Sequence, residues 1–177
     1  MAHYEQRMFL EFPKSRFPEY FLNCKVIEIG SLKINGTARD LFQDCAYLGV
    51  DIGIVKGVNL VGQGQELMFP NDSFDVAISV ECFEHNPYWL ETFINMHRMA
   101  RSFVLFTCAS SGRAEHGTTR TDLWTSPLTA EWDYYKNLDE TDFTSRLAFS
   151  ELFSSFEFIY NKASFDLYFW GIKRNNS

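Results

Sequence analysis

Three short stretches of the chain carry glycine or acidic residues in positions that suit ligand binding. Glu28–Ser31 ends a run of β-branched residues at Gly30, and a helix is expected to start near Gly36. Asp51 ends a second apolar run, 21 residues after Gly30, and Ser79–Cys82 follows a third. A turn glycine lets a ligand approach the backbone, a helix start offers free N–H groups, and a carboxylate at a strand end can accept both hydroxyls of a ribose. Their spacing predicts a nucleoside site; plain turns and a strand-end cap are the alternative interpretation.

The motifs that the chain lacks narrow the type of nucleoside. A dinucleotide requires G-x-G-x-x-G around its pyrophosphate, but the stretch Gly30–Gly36 has bulky residues where the glycines should stand. The chain also lacks the G-x-x-x-x-G-K-[ST] loop that cradles a triphosphate. These absences argue against NAD, FAD and triphosphates. They leave a nucleoside without phosphates, of which S-adenosylmethionine is the common one.

A second candidate group is the polar cluster Ala114–Arg120 within the long polar stretch Ala109–Asp139. Loops of this length are usually functional or disordered. We expect the stretch to cover the site as a lid, with a solvated loop as the alternative. His116 is its only histidine, and an unperturbed histidine pKa of about 6.5 suits a base near neutral pH. The expected acceptor contacts are Arg113, His116, Arg120, Tyr134 and Tyr135, whereas His85 is interpreted as structural.

The elements that position these residues alternate between strands and helices. Strands are predicted at Lys25–Gly30, Ala46–Asp51, Gly57–Val61, Phe74–Ser79 and Phe103–Thr107. Helices are predicted at Tyr4–Glu19 with interruptions near Pro13 and Pro18, from Gly36 to Phe42, and after Pro87 to Met99 with Asn86 as the cap. This alternation predicts an open parallel α/β sheet with helices on both faces.

The end of the chain breaks that alternation. Two further strands, Phe156–Tyr160 and Leu167–Ile172, stand about six residues apart, and only a hairpin joins strands that closely. They therefore pair antiparallel, and their aromatic residues are expected in the core. We expect one domain over residues 1–177, with an N-terminal helical segment over 1–24.

Composition and charge exclude several classes of protein. The chain has 177 residues, 46% of them hydrophobic and 22% charged, which are ordinary globular values, and 17% aromatic, which suggests an aromatic-rich core or a pocket for flat ligands. No window approaches 18 apolar residues, and no signal peptide pattern is present, so no membrane span or export is expected. A net charge of −7 makes the chain a poor generic binder of nucleic acid or anionic membrane.

The cysteines and histidines point to a reduced, metal-free protein. The four cysteines are scattered and form no C-x-x-C, which favours buried free thiols in a cytoplasmic protein over a disulfide framework. The four histidines have no zinc-like spacing with each other or with cysteine, so no metal is implied.

Several segments together resemble the class I S-adenosylmethionine-dependent methyltransferases, in particular the small type 11 group. Val26–Ser31 is similar to the first motif of the family and Tyr47–Asp51 to its second. Gly64–Pro70 with Ser73–Ser79 is similar to the stretch that enters strand four, and Glu81–Pro87 to the E-x-x-E-H segment. The resemblance covers most of the chain. It implies a Rossmann-like, doubly wound, mostly parallel seven-stranded sheet with a C-terminal antiparallel hairpin.

The resemblance also implies which residues bind the cofactor. Asp51 would bind the ribose hydroxyls and Ile52 would pack on the adenine, while Val80 and Glu81 would lie near the sulfonium. Glu28 and Gly30 would shape the floor under the methionine part, with Ser31 beside it, and Gln63 and Gly64 would meet the adenine edge. The implied cofactor residues are Glu28, Gly30, Ser31, Gly36, Asp51, Ile52, Gln63, Gly64, Val80 and Glu81.

The expected function is therefore methyl transfer from S-adenosylmethionine to an unidentified acceptor, with S-adenosylhomocysteine as the product. The reaction would be an in-line displacement, catalysed largely by holding the reacting groups in line. A non-catalytic, methyltransferase-like binding module is the alternative. A second alternative, an NAD-dependent oxidoreductase on a similar sheet, is disfavoured by the missing glycines.

Overall fold

A seven-stranded sheet forms the centre of the protein. The computed structural model describes residues 4–34 and 36–174, so residues 1–3 of the expected N-terminal segment and Asn35 of the expected turn before Gly36 lie outside the described residues. The strands are β1 (Lys25–Ile29), β2 (Ala46–Asp51), β3 (Leu60–Val61), β4 (Phe74–Val80), β5 (Ala100–Ala109), β6 (Phe153–Asn161) and β7 (Asp166–Lys173).

The strand order is β3-β2-β1-β4-β5-β7-β6. Strands β1 to β5 run parallel, and β7 pairs antiparallel with both β5 and β6. The predicted mostly parallel α/β sheet with a C-terminal antiparallel hairpin is confirmed. Because the chain moves outward from β1 to β3 and then returns to the other side of β1 as β4, the switch point in strand order lies between β1 and β4. Open α/β sheets bind ligands beyond the carboxyl ends of the strands at such a point.

Helices cover both faces of the sheet. They are α1 (Tyr4–Arg16), α2 (Trp89–Met99), α3 (Glu140–Thr144) and α4 (Phe149–Leu152), with short 3-10 turns between elements. Alternate residues of each strand point to opposite faces: Val26 packs with Phe9 and Leu10 of α1, whereas Ile27 packs in the core that contains Phe93 of α2. Each face therefore has its own apolar core.

The high aromatic content belongs mainly to these cores. Phe93 lies within 6.3 Å, centroid to centroid, of the rings of Phe106, Phe143, Phe149 and other phenylalanines. In the hairpin, Phe169 and Trp170 are buried. The expectation that the hairpin aromatics are core residues is confirmed for this pair and is wrong for Phe156, which is 36% exposed.

Several predicted helix boundaries are wrong. The helix expected from Gly36 to Phe42 is only a 3-10 turn at Ala38–Leu41, in which the N–H of Arg39 donates to the hydroxyl of Thr37. The last predicted helix starts at Trp89 instead of directly after Pro87, although the Asn86 side chain does accept the N–H of Tyr88 at its start. The interruption expected near Pro13 does not occur, and α1 runs on to Arg16.

The four cysteines are free thiols, as expected. Cys24 and Cys45 lie close together, with their Sγ atoms 3.0 Å apart. Among the described residues, no helix is long and apolar enough to cross a membrane.

Candidate active site

Gly30 forms the turn that leaves β1 at the switch point. Its φ of +80° lies in the left-handed region, and a Cβ at this position would lie 2.5 Å from the Cβ of Cys82. The N–H groups of Gly30 and Ser31 both donate to the carbonyl of Val50, at 2.9 and 3.1 Å. Because only glycine fits this turn, the loop after β1 can pass close to the end of β4.

Asp51 ends β2 beside this turn. Its Oδ2 accepts the N–H of Leu32 at 2.9 Å, and its Oδ1 accepts the N–H of Ile52 at 2.8 Å. Burial raises the pKa of the carboxyl, and the two backbone hydrogen bonds oppose that shift. A carboxylate has about four lone-pair positions, so each oxygen keeps one for a further donor. Asp51 lines both cavities at this edge of the sheet and can hold a pair of ligand hydroxyls.

A cavity of about 340 Å³ extends from Asp51 across the ends of β1 and β4. Its opposite wall comes from the segment Ala109–Asp139, called the covering segment below. Small-molecule sites usually have volumes of about 300–1,000 Å³. The lining residues are Gly30, Leu32, Ile34, Asp51, Val80, Glu81, Cys82, His85, Arg113, Ala114, Glu115, His116, Thr125, Ser126, Leu128 and Thr129.

A second, much smaller cavity of about 30 Å³ lies on the β2 side. Ile52, Gly62 and Gly64 form part of its wall, and Thr129 and Trp132 of the covering segment form another part. The two cavities share Gly30, Asp51, Cys82 and Thr129. The covering segment therefore limits the space next to Ile52.

Two buried glutamates follow β4. Glu81 has a φ of +52°, uncommon for a residue with a side chain, and its Oε1 accepts the hydroxyl of Thr107 at 3.0 Å. Burial and, to a smaller extent, the nearby Asp166 raise the pKa of Glu81 to about 7. Glu84 is fully buried, and burial together with Glu81 raises its pKa well above the usual range. The interior beside the cavity thus carries carboxyl groups that a positively charged ligand would stabilise in their ionised form.

His85, His116 and Tyr135 form a ring cluster at this end of the cavity. The ring centroids of the two histidines lie 4.9 Å apart in an edge-to-face arrangement, and both rings contact Tyr135. Burial and, to a smaller extent, His116 lower the pKa of His85 to about 3, and burial also lowers the pKa of His116. Both rings are therefore neutral near pH 7. Gly117 permits the close approach, since its φ is +67° and a Cβ there would lie 2.6 Å from the Cε1 of His85.

Hydrogen bonds and ion pairs hold the covering segment together. Arg120 lies 2.8 Å from Glu115 and 2.9 Å from Asp133, and the N–H of Lys136 donates to the carbonyl of Glu84 at 2.9 Å. Arg113 donates to the carbonyl of Ser164 at 2.7 Å. These contacts hold the segment against the strand ends as one wall of the site.

The structure brings about half of the predicted site residues together. Those that line one of the two cavities are Gly30, Asp51, Ile52, Gly64, Val80, Glu81, Arg113 and His116. Those that line neither are Glu28, Ser31, Gly36, Gln63, Arg120, Tyr134 and Tyr135. Glu28 and Ser31 are buried beneath the edge, Gln63 accepts a hydrogen bond from Gln65, and Arg120 is engaged by two carboxylates of its own segment.

Sequence reasoning missed several lining residues. His85 was assigned a structural role, yet it lines the larger cavity beside His116. The signal available in the sequence was its place in Glu81–Pro87, directly after a strand that ends at the switch point. Leu128, Thr129 and Trp132 carried no such signal, because only the path of the covering segment brings them to the site.

The residues present fit an uncharged nucleoside end joined to a cationic end. Asp51 offers two free acceptor positions at one end of the larger cavity, and Gly30 leaves room for a ligand against the backbone. Glu81 supplies a carboxyl oxygen that has no hydrogen-bond partner among the described residues. The space beside Ile52 is too small for a purine as it stands, so Thr129 and Trp132 would have to move aside.

Comparisons with known proteins concern the family resemblance and the fold. Residues 35–107 match the family model of the type 11 methyltransferase domain. The sequence matches none of the curated proteins with which it was compared.

Solved structures match almost the whole chain. The 1,6-didemethyltoxoflavin-N1-methyltransferase of Burkholderia thailandensis, solved with S-adenosylhomocysteine, has a TM-score of 0.61 at 16% identity, covering 96% of this chain and 78% of that one. The YcgJ protein of Bacillus subtilis has a TM-score of 0.61 at 12% identity, covering 97% and 98%. A phosphoethanolamine N-methyltransferase of Haemonchus contortus has a TM-score of 0.64 at 14% identity, covering 95% and 53%. At these identities the likeness establishes the fold. The chain therefore has the fold of these methyltransferases, and its residues 35–107 match the type 11 methyltransferase domain model.

Proposed function

We propose that this protein transfers a methyl group from S-adenosylmethionine to a small acceptor that enters the cavity of about 340 Å³. The observation that carries the proposal is the position of Asp51. Its carboxylate is fixed by two backbone N–H groups at the switch point and keeps two free acceptor positions toward the cavity. The family match over residues 35–107 and the fold support the same activity.

The cofactor would be held by residues of the strand ends. Asp51 accepts hydrogen bonds from the ribose hydroxyls, Ile52 and Gly64 border the adenine space, and Gly30 allows the ligand to lie against the backbone. When bound, the cofactor supplies a methyl group activated by its sulfonium, which an acceptor atom takes by in-line displacement. The buried carboxyl group of Glu81 favours a positive charge in the larger cavity.

The other residues of the cavity position the acceptor and handle its proton. The covering segment screens the site from bulk water, which strengthens electrostatic interactions inside it. In the metal-free protein, His116 is the neutral ring available to accept a proton from a hydroxyl or amine acceptor. Arg113 also lines the cavity but is held by Ser164 and Asp166. A cytoplasmic location, which the four free cysteines favour, belongs to the proposal.

Ligand-induced stabilisation tests the proposal. S-adenosylhomocysteine at 100 times its dissociation constant should add about 2.7 kcal/mol to the free energy of unfolding, which raises the Tm of a chain of this size by about 5–10 °C. NAD at the same concentration serves as the control and should leave the Tm unchanged. A shift with NAD alone would support the oxidoreductase alternative. No shift with either ligand at millimolar concentration would overturn the proposal and favour a binding module.

A further inference from the structure

Three side chains at the acceptor end of the cavity, Glu84, His85 and His116, could together bind a metal ion, a role that the proposed methyl transfer does not give them. Each offers one ligand atom, and these three atoms lie within 4.8 Å of one another. Glu84 and His85 adjoin in sequence, whereas His116 comes from the covering segment. The three side chains therefore converge on one point from two separate parts of the chain.

Glu84 has an unsatisfied carboxylate. It is 0% exposed, and neither of its carboxylate oxygens has a hydrogen-bond partner among the described residues. The backbone N–H groups of Glu84 and Ala109 lie near enough to favour its charge, but neither makes a hydrogen bond of normal geometry. A buried carboxyl group without partners either keeps its proton or coordinates a cation, because an isolated buried charge is costly. The nearby carboxyl groups of Glu81 and Asp166 add to the cost of ionising Glu84 unless a cation is present.

The histidines have free ring nitrogens. His85 is 3% exposed, and its Nδ1 is buried without a partner among the described residues. The Nδ1 of His116 lies 3.1 Å from the carbonyl oxygen of Ala114, which can only accept a hydrogen bond. That bond places the proton on Nδ1 and leaves Nε2 of His116 with its lone pair. Metal-binding histidines are typically oriented in this way, by donating the other ring N–H to a carbonyl or carboxylate.

We propose that Glu84, His85 and His116 bind one divalent transition-metal ion, with Zn²⁺ as the reference ion, at the acceptor end of the cavity. Two imidazole nitrogens and one carboxylate oxygen suit Zn²⁺ and its first-row neighbours, whereas Mg²⁺ and Ca²⁺ prefer oxygen ligands alone. Metal–ligand bonds of about 2.0–2.2 Å place tetrahedral ligands about 3–3.5 Å apart. From a separation of up to 4.8 Å, the three donors must therefore close by up to about 1.3–1.8 Å, which requires His116 and the covering segment to approach Glu84 and His85.

The number of ligands indicates the role of the ion. Three protein ligands leave a coordination position open, as in catalytic zinc sites. His85 and His116 both line the cavity, so the open position faces the space where an acceptor would lie. A hydroxyl oxygen bound there loses its proton to water more readily, because the ion stabilises the resulting oxyanion. This role rests on the proposed function, whereas binding of the ion does not. With the ion bound, the metal and not a free His116 ring promotes loss of the proton.

Zinc titration tests the site. The untagged full chain is stripped with a chelator, dialysed and titrated with Zn²⁺ in competition with a chromophoric chelator. We expect one Zn²⁺ per chain, at least tenfold weaker binding in Glu84→Gln and in His116→Ala, and unchanged binding in the control His97→Gln, since His97 lies on α2 against the carbonyl of Leu152. If Glu84→Gln does not fold, the half-buried His116 variant decides alone.

Two results would overturn the site. One is no saturable binding of Zn²⁺ to the wild-type chain. The other is undiminished binding in His116→Ala, which would place the ion elsewhere, for example on the Cys24–Cys45 pair. S-adenosylhomocysteine affinity, measured by calorimetry on the same samples, separates the two proposals. We expect the affinity for S-adenosylhomocysteine to stay within a factor of about two in His116→Ala. A wild-type chain that binds zinc but not S-adenosylhomocysteine would overturn the proposed function and leave the metal site standing.

Discussion

Replacing Asp51 by alanine tests whether its carboxylate binds the ligand as well as stabilising the fold. The carboxylate accepts the N–H groups of Leu32 and Ile52 and, in the proposed complex, the ribose hydroxyls. A hydrogen bond to a charged group is worth about 1.5–3 kcal/mol. Loss of one ribose bond alone therefore weakens S-adenosylhomocysteine binding at least tenfold, since about 1.4 kcal/mol is a factor of ten. Loss of the backbone bonds costs stability in addition, about 2–3 kcal/mol, because Asp51 is only partly buried and water can replace its oxygens.

The assay measures binding and folding on the same samples. Calorimetric titration with S-adenosylhomocysteine gives the affinity, and urea unfolding gives the stability, which should stay positive because domains have about 5–15 kcal/mol in total. Asp75→Ala is the matched control. Asp75 also accepts a backbone N–H, from Lys25 at 2.8 Å, and pairs with Arg101, but it lies at the start of β4, away from the carboxyl edge. This control should lose stability and keep its affinity.

Equal affinities of Asp51→Ala and the wild-type protein would refute the reasoning. In that case the carboxylate is only a cap for the end of β2 and for the turn after β1. A loss of affinity in both Asp51→Ala and Asp75→Ala would also refute it, because the effect would then come from general destabilisation.

Three further predictions concern the same edge of the sheet. Burial raises the pKa of Glu28 to about 7, compared with about 4.3 in an unfolded chain. The stability that Glu28 contributes is therefore full below about pH 4 and is lost as the pH rises to about 7. In urea unfolding, the wild-type protein should lose on the order of 3 kcal/mol between pH 5 and pH 8 through this group, and Glu28→Gln should lack that loss. Gly30→Ala should lower the Tm by about 4–8 °C, which corresponds to a loss of about 2 kcal/mol in the free energy of unfolding. The control Gly62→Ala should lower the Tm far less, because the nearest atom to its new Cβ would lie 3.1 Å away. Equal Tm values of the two variants would contradict the requirement for glycine at the turn. S-adenosylhomocysteine should change the tryptophan fluorescence because Trp132 moves. This fluorescence change should vanish in Trp132→Phe and persist in the control Trp124→Phe, which alters an exposed ring that lines neither cavity. A fluorescence change that Trp132→Phe leaves intact would show that the covering segment does not move there.

The strands could be predicted from the sequence because most are short apolar runs that end at glycine or an acidic residue. β1 is rich in β-branched residues and is buried from Val26 to Ile29, and β2 has the predicted bounds Ala46–Asp51. The spacing of the last two strands allowed only a hairpin, and the structure has one. Helices were harder to predict. The expected helix after Gly36 needs only Ala38 and Leu41 to reach the core, and a 3-10 turn achieves that.

The strand-end part of the site was predictable, and the acceptor end was not. Gly30, Asp51 and Glu81 end or follow strands, so topology alone brings them together. His85 and His116 stand 31 residues apart in sequence, and their contact depends on the tight approach at Gly117 and on the anchoring of the covering segment to Glu84. Such tertiary contacts leave no periodic signal in the sequence.

A crystal structure with S-adenosylhomocysteine tests the central claim most directly. The account predicts the ribose hydroxyls on the carboxylate of Asp51, the adenine beside Ile52 and Gly64, and Thr129 and Trp132 displaced from their present positions. A nucleoside bound away from Asp51, or crystals that take up no ligand at millimolar concentration, would contradict it.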